Sequence, residues 1–232
     1  MTTLQALIFD VDGTLAETER DGHRPAFNAA FAEHGLNWHW DVATYGALLD
    51  ITGGKERIRH FAERQAPAFC TAPDCTARIA ALHAAKTAHY LRRVAAGLPL
   101  RPGIARLLDE AGAAGLRLAI ATTTSTENVG ALLEANLGPG ACSRFEVIGA
   151  GDVVPHKKPA PDIYRWVLER LALPAAACLA IEDSANGLRA ALGAGLRTVV
   201  TPGEYTGDQD FAGAWRIFPA EHILCLEDCR MT

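Results

Sequence analysis

Asp10 and Asp12 stand in LIFDVDGTLAETE (residues 7–19), where the first apolar run of the chain ends, and Glu17 and Glu19 follow in the same stretch. Acids that merely decorate a surface fall on the polar face of a helix, whereas these two interrupt a core segment. Three further points carry complementary groups: Thr122 in LAIATTTST, Lys158 in HKKPAPDIY, and Glu182 with Asp183 in LAIEDSANG. Asp10, Asp183 and the main-chain carbonyl of Asp12 offer hard oxygen ligands of the kind Mg2+ takes. So many carboxylates would repel a phosphate unless cations intervened, and Mg2+ with Lys158 would supply that charge. Asp10 could then attack phosphorus and form an aspartyl-phosphate. Asp12 could protonate the departing oxygen and afterwards take a proton from water. Thr122, Thr123 and nearby backbone N–H groups could hold the transferred phosphoryl oxygens while Lys158 neutralises the charge growing on them. Ser125 either joins them or caps the helix that follows.

These points work together only if the fold brings them to one edge. Five short runs are apolar on both faces: LQALIFD (4–10), LRLAIA (116–121), FEVIGA (145–150), CLAIED (178–183) and LRTVV (196–200). Helical stretches over 103–115, 162–173 and 185–195 alternate with them, which predicts an α/β fold with a Rossmann-like parallel-sheet core. Catalytic groups in such folds collect beyond the carboxyl ends of the strands, where all four points fall. Residues 16–97 contain no buried strand. RPAFNAAFAEHG, WDVATYGALLD, GKERIRHFAERQ and CTARIAALHAAKTAHYLRRVAAG repeat apolar residues every three or four positions and predict an inserted all-helical cap domain. The expected division is core 1–15, cap 16–97 and core 98–232, with two chain crossings that permit a hinge and a cleft.

The 232 residues, 49% hydrophobic and 21% charged, suffice for one core with a smaller insert. A net charge of -5 without basic blocks argues against a nucleic-acid or anionic-membrane partner. No apolar run approaches the roughly 18 residues of a bilayer-spanning helix, and MTTLQ does not resemble an export signal. The expectation is a cytoplasmic monomer. The six cysteines are expected to be reduced thiols; two of them bracket a Pro-containing turn, CTAPDC (70–75). His222, Cys225 and Cys229 would make an incomplete zinc set, and a short helix carrying two thiols explains the same letters better.

DVDGT, ATTTS, KKPAPDIY and IEDSANGLRAA resemble, in order, the four motifs of the haloacid-dehalogenase superfamily, in the subclass with a helical cap after the first motif. The likeness spans essentially the whole chain. It implies that Asp10 is the nucleophile and Asp12 the acid/base, that Thr122 and Lys158 are the motif threonine and lysine, and that Asp183 is a metal-side acid. Glu182 would be a water-mediated or outer neighbour of the metal. An acid at position 12 separates the chain from the dehalogenases, and from phosphonate-cleaving members despite the suggestive Lys55 in the cap.

A closer likeness, in LAETERDGHRPAFN, TGGKERI, ATTTSTENV, HKKPAPDIY and TPGEYT, is to the CbbY-type phosphatases encoded with carbon-fixation enzymes. That group is associated with hydrolysis of xylulose-1,5-bisphosphate, a misfire product that inhibits rubisco. A small phosphorylated sugar is the expected partner. Thr52, Gly53 and Gly54 could expose backbone N–H groups, with Lys55 and Arg57 adding charge for a second phosphate, although a plain helix start explains the same residues. His23, Arg24, Tyr45 and Glu17 complete the expected substrate contacts; Trp38, Trp40 and Tyr45 also read as cap core. The competing functions are a β-phosphoglucomutase-like mutase, a phosphoglycolate phosphatase and a non-catalytic metal-binding module.

Overall fold

The computed structural model describes residues 3–230. After β1 (Ala6–Phe9) the chain makes one π-helical turn over Glu19–His23. It then forms α1 (Arg24–Glu33), α2 (Val42–Leu48), α3 (Gly54–Gln65), α4 (Pro67–Thr71) and α5 (Cys75–Ala95). It continues through α6 (Ile104–Ala113), β2 (Arg117–Ala121), α7 (Thr126–Leu137), β3 (Val147–Gly149) and α8 (Asp162–Leu171). The last elements are β4 (Cys178–Glu182), α9 (Ala185–Gly193), β5 (Arg197–Val200), β6 (Arg216–Ile217) and α10 (Leu226–Cys229). Two compact units result: one runs to Glu17 and resumes at Pro99, the other is Thr18–Leu98.

In the sheet unit the strands are all parallel, in the order β3-β2-β1-β4-β5-β6. All four residues of β1 and all five of β4 are buried, which is why both read as unbroken apolar runs. Alternation decides the faces. Ala6 and Ile8 join Ala119, Ala121 and Ala180 against Ile163, Tyr164 and Val167 of α8 and Ala190 and Ala191 of α9. Burying each large aliphatic side chain there contributes about 1.5–3 kcal/mol. Because β1 lies between β2 and β4, the chain builds outward from it in both directions. The carboxyl end of β1 is therefore the topological switch point, the place where open parallel sheets bind ligands. The two-residue β6 was not anticipated: two residues are too few to show a strand period.

The Thr18–Leu98 unit contains the expected helices and also α4, which Pro67 starts after the break at Ala66. Its core is aromatic. Phe27 and Phe31 of α1 pack on Trp40 at ring-centroid distances of 4.7 and 4.8 Å, and Trp38 meets Phe61 and Phe69 at 5.4 and 5.0 Å. Asn28 fixes the segment between α1 and α2 by a double hydrogen bond: it accepts from Trp40 N–H at 2.7 Å and donates to the Trp40 carbonyl at 2.9 Å. Among the described residues no helix is long and apolar enough to cross a membrane.

Candidate active site

The site begins with strand register. Phe9 pairs with Ile181, so Asp10 and the Glu182–Asp183 pair leave the sheet side by side. The Asp10 N–H extends the ladder to the Ile181 carbonyl at 3.0 Å. Asp10, Glu182 and Asp183, all buried, each present a carboxylate oxygen within 4.8 Å of the others. Lys158, 148 positions from Asp10 in sequence, donates from Nζ to Asp10 Oδ1 at 2.7 Å and to Glu182 Oε1 at 2.6 Å. The Tyr164 hydroxyl donates to the same Glu182 oxygen at 2.5 Å. Glu182 therefore orients the lysine, and the lysine holds Asp10.

Charge is unbalanced here, with three buried carboxylates against one ammonium. Burial pushes the Asp10 carboxyl up to about 8, reinforced by Glu182 and Asp12 and opposed by Lys158. Burial works against the Lys158 ammonium, but Asp10 and Glu182 outweigh it and raise its pKa, so the lysine stays charged. Burial and Glu182 likewise hold the Tyr164 phenol well above its ordinary value. Hard oxygen donors, mutual proximity and uncompensated negative charge fit a divalent cation such as Mg2+.

Asp12 lies half-buried in the tight turn after β1. Thr14 and Leu15 N–H groups return to the Val11 carbonyl at 3.2 and 2.9 Å, and Gly13 N–H to the Ala16 carbonyl at 2.8 Å. Gly13 has φ +87°, and a Cβ there would lie 2.2 Å from Asp183 Oδ2. Only glycine fits, for both backbone and space. The metal-capable group does not include the Asp12 carboxylate; its carbonyl is the ligand expected from sequence.

At the end of β2, Thr122 is buried and its Oγ1 accepts from Thr124 N–H at 3.3 Å. Thr123 is half-buried beside it. Ser125 is the N-cap of α7, its Oγ accepting from Asn128 N–H at 3.3 Å, so the capping alternative holds. Glu17 belongs to the sheet unit, where its carboxylate pairs with Arg101 Nε at 3.3 Å.

The expected cap residues lie in the helical unit in two different situations. Lys55 is exposed and lines a cavity of about 480 Å³ with Glu56, Arg59, His60 and Thr76. Gly53, at φ +98°, precedes the first residue of α3, Gly54, and Thr52 is half-buried before them. Arg57, by contrast, is buried. Its Nε donates to the Leu48 and Ile51 carbonyls at 3.1 and 3.3 Å, and Nη1 to the Tyr45 hydroxyl at 2.9 Å. Tyr45 is fully buried among Phe27 and Trp40 and donates to the Glu19 carboxylate. The core alternative for Tyr45 thus describes its placement, and Arg57 ties the cap together rather than standing out as a free charge. His23 is buried and stacked on Tyr90 at 4.1 Å, with Nδ1 2.8 Å from Lys86 Nζ. Arg24 Nη1 donates to the Trp40 carbonyl at 3.4 Å. Sequence reasoning overlooked Tyr164, Lys86 and Arg101. Tyr164 falls within KKPAPDIY, but nothing local says that its hydroxyl turns to Glu182. In the tail, His222 Nε2 and the Cys225 N–H and thiol all meet Asp228 Oδ2, which leaves an acid-capped α10 in place of a zinc set.

Residues 4–195 match the family model described as haloacid dehalogenase-like hydrolase. The chain belongs to this family. This haloacid dehalogenase-like hydrolase is 56% identical over 217 residues to the plasmid-encoded protein CbbY of Cupriavidus necator, covering 93% of this chain and 85% of the relative. It is also similar to a crystal structure of CbbY from Rhodobacter sphaeroides in complex with phosphate, at 52% identity and a TM-score of 0.86, over 93% of this chain and 94% of that one. A D10N mutant of the same Rhodobacter protein, in complex with xylulose-(1,5)bisphosphate, matches with the same identity, coverage and TM-score.

Proposed function

We propose that this hydrolase is a Mg2+-dependent sugar-bisphosphate phosphatase whose substrate is xylulose-1,5-bisphosphate, and that it removes this inhibitor in support of rubisco. The observation that carries the reading is the Asp10–Lys158–Glu182 ion-paired cluster beside the Asp12 turn. The likeness to a CbbY protein crystallised with that bisphosphate supports the choice of substrate.

In this mechanism Asp10 attacks the substrate phosphorus and the ester oxygen leaves with a proton from Asp12. Asp12 then takes a proton from water as that water attacks the aspartyl-phosphate, releasing inorganic phosphate and restoring Asp10. Lys158 neutralises charge on the phosphoryl oxygens, and Thr122 with the backbone N–H groups of its loop holds them in line. Asp10, Asp183 and the Asp12 carbonyl would hold Mg2+, with Glu182 as an outer neighbour; when bound, the ion supplies Lewis-acid stabilisation of the phosphoryl charge. Exposed Lys55, with the Thr52–Gly54 turn, would recognise the second phosphate.

The test is one panel of phosphate-release assays with xylulose-1,5-bisphosphate, ribulose-1,5-bisphosphate, glucose 1,6-bisphosphate, phosphoglycolate and simple monophosphates, with and without chelator. The expected result is metal-dependent turnover with a strong preference for the xylulose compound, and none by Asp10→Asn. Rapid sugar-phosphate isomerisation with almost no phosphate release would establish a mutase instead. Preference for phosphoglycolate would also overturn the assignment, and no turnover of any ester would leave a metal-binding module.

A further inference from the structure

Cys70 and Cys75 are separated by a short turn between two helices of the Thr18–Leu98 unit. Cys70 is in the last turn of α4, and Cys75 is the first residue of the 21-residue α5. The chain reverses between them through Ala72–Asp74, closed by a hydrogen bond from Cys75 N–H to the Ala72 carbonyl at 3.0 Å. That reversal makes the two thiols neighbours, and the Cys75 thiol helps raise the Cys70 pKa. Both are reduced, Cys70 half-buried and Cys75 only 4% exposed. Arg59 reaches across from α3, with Nη1 3.8 Å from Cys75 Sγ and Nη2 donating to Thr76 Oγ1 at 3.1 Å.

The remaining cysteines are differently placed. Cys178 is in the middle of the sheet, Cys229 is fully buried, and the Cys225 thiol donates to Asp228 at 3.2 Å. Cys142 is half-buried, and burial raises its pKa. Only the Cys70–Cys75 pair combines an accessible sulfur, a second thiol as its neighbour across one short turn and a guanidinium beside that second sulfur. The thiolate is the form that displaces a leaving thiolate from a disulfide.

We infer that Cys70 and Cys75 form a redox-modifiable dithiol that a low-molecular-weight disulfide of the glutathione class oxidises to an intramolecular cystine. The Cys70 thiolate attacks one sulfur of the oxidant and expels one thiolate, leaving a mixed disulfide on the protein. The Cys75 thiolate, with the Arg59 guanidinium 3.8 Å from its sulfur, then attacks the Cys70 sulfur and expels the second. The protein loses two protons and two electrons, and the oxidant becomes two thiols. Burial, the Cys75 thiol and Glu63 raise the Cys70 pKa, with Arg59 opposing them, so the first step quickens as pH rises.

The experiment treats the full chain, under native conditions, with oxidised glutathione. Remaining thiols are then alkylated and the peptides mapped by mass. The expected product has lost two hydrogens, carries no alkyl group on Cys70 or Cys75 and reverts with dithiothreitol. Cys75→Ser should trap glutathione on Cys70, whereas Cys70→Ser should leave position 75 slow to react. Wild-type protein that keeps both thiols alkylatable would overturn the inference. So would a stable glutathione adduct on Cys70 of the wild type, or a cystine joining other positions. Because the wild-type product alone decides the matter, a variant that fails to fold leaves the test intact.

Discussion

Arg101 Nη1 donates to the Gly13 carbonyl at 2.6 Å and to the Thr201 carbonyl at 2.7 Å, so a buried guanidinium ties the turn that carries Asp12 to the loop after β5. Nη2 adds the Pro202 and Ala220 carbonyls at 3.3 Å each, and the Arg101 N–H donates to the Leu15 carbonyl at 2.8 Å. One side chain thus satisfies main-chain acceptors from three segments, a fork that a lysine cannot reproduce. Arg101→Lys is expected to keep the fold and lower kcat by about 100-fold, because a misplacement of roughly 1 Å has that effect. Phosphate-release kinetics beside a melting curve would decide it. Unchanged kcat would show that the turn holds its geometry without the fork.

Mg2+ should stabilise the native chain apart from any turnover. A ligand at about 100 times its Kd adds about 2.7 kcal/mol, which in a chain of this size raises the melting midpoint by roughly 5–10 °C. Asp183→Asn should lose most of that increment, since Asp183 is one of the three clustered acids. Thermal melts in Mg2+ and in chelator measure both arms. An equal Mg2+ increment in the variant would place the cation elsewhere.

Ser125→Ala is expected to cost about 1 kcal/mol of stability, the usual loss for an N-cap hydroxyl. Its turnover should stay within a few-fold of wild type, because the hydroxyl accepts from Asn128 N–H. A kinetic loss of several hundred-fold with an unchanged melting midpoint would instead assign this serine to phosphoryl binding.

Lys55 and Arg57, equivalent by charge, should behave differently. Lys55→Met leaves the helical core untouched and should depress bisphosphate turnover far more than monophosphate turnover. Arg57→Met removes the partner of Leu48, Ile51 and Tyr45 and leaves Glu19 facing a weakened network. Breaking a buried charged contact costs about 3–5 kcal/mol, so this variant should melt earlier and lose activity on every substrate alike. Melting curves and a two-substrate comparison separate these outcomes. A selective bisphosphate defect in a fully stable Arg57→Met protein would make Arg57 a substrate ligand after all.

The sheet was legible because β1, β2 and β4 are buried on both faces and so read as unbroken apolar runs; their carboxyl ends then named Asp10, Thr122, Glu182 and Asp183. The reason for glycine at position 13 was not legible: the Asp183 carboxylate stands where a Cβ would sit. Local periodicity also located α3 to the residue, whereas α4 and β6 are too short to carry a period. What sequence alone determined was therefore the set of chemically capable residues and the strands that end beside them. Tertiary structure decided which of those residues touch. Lys158 reaches Asp10 across 148 positions, Arg101 reaches Gly13 across 88, and Arg57 turns inward to Tyr45 across 12. Helix and strand patterns repeat every few residues and specify which face is buried. They carry no information about which distant polar atom a buried charge will meet, and that choice is made when the packed elements leave it a single set of acceptors.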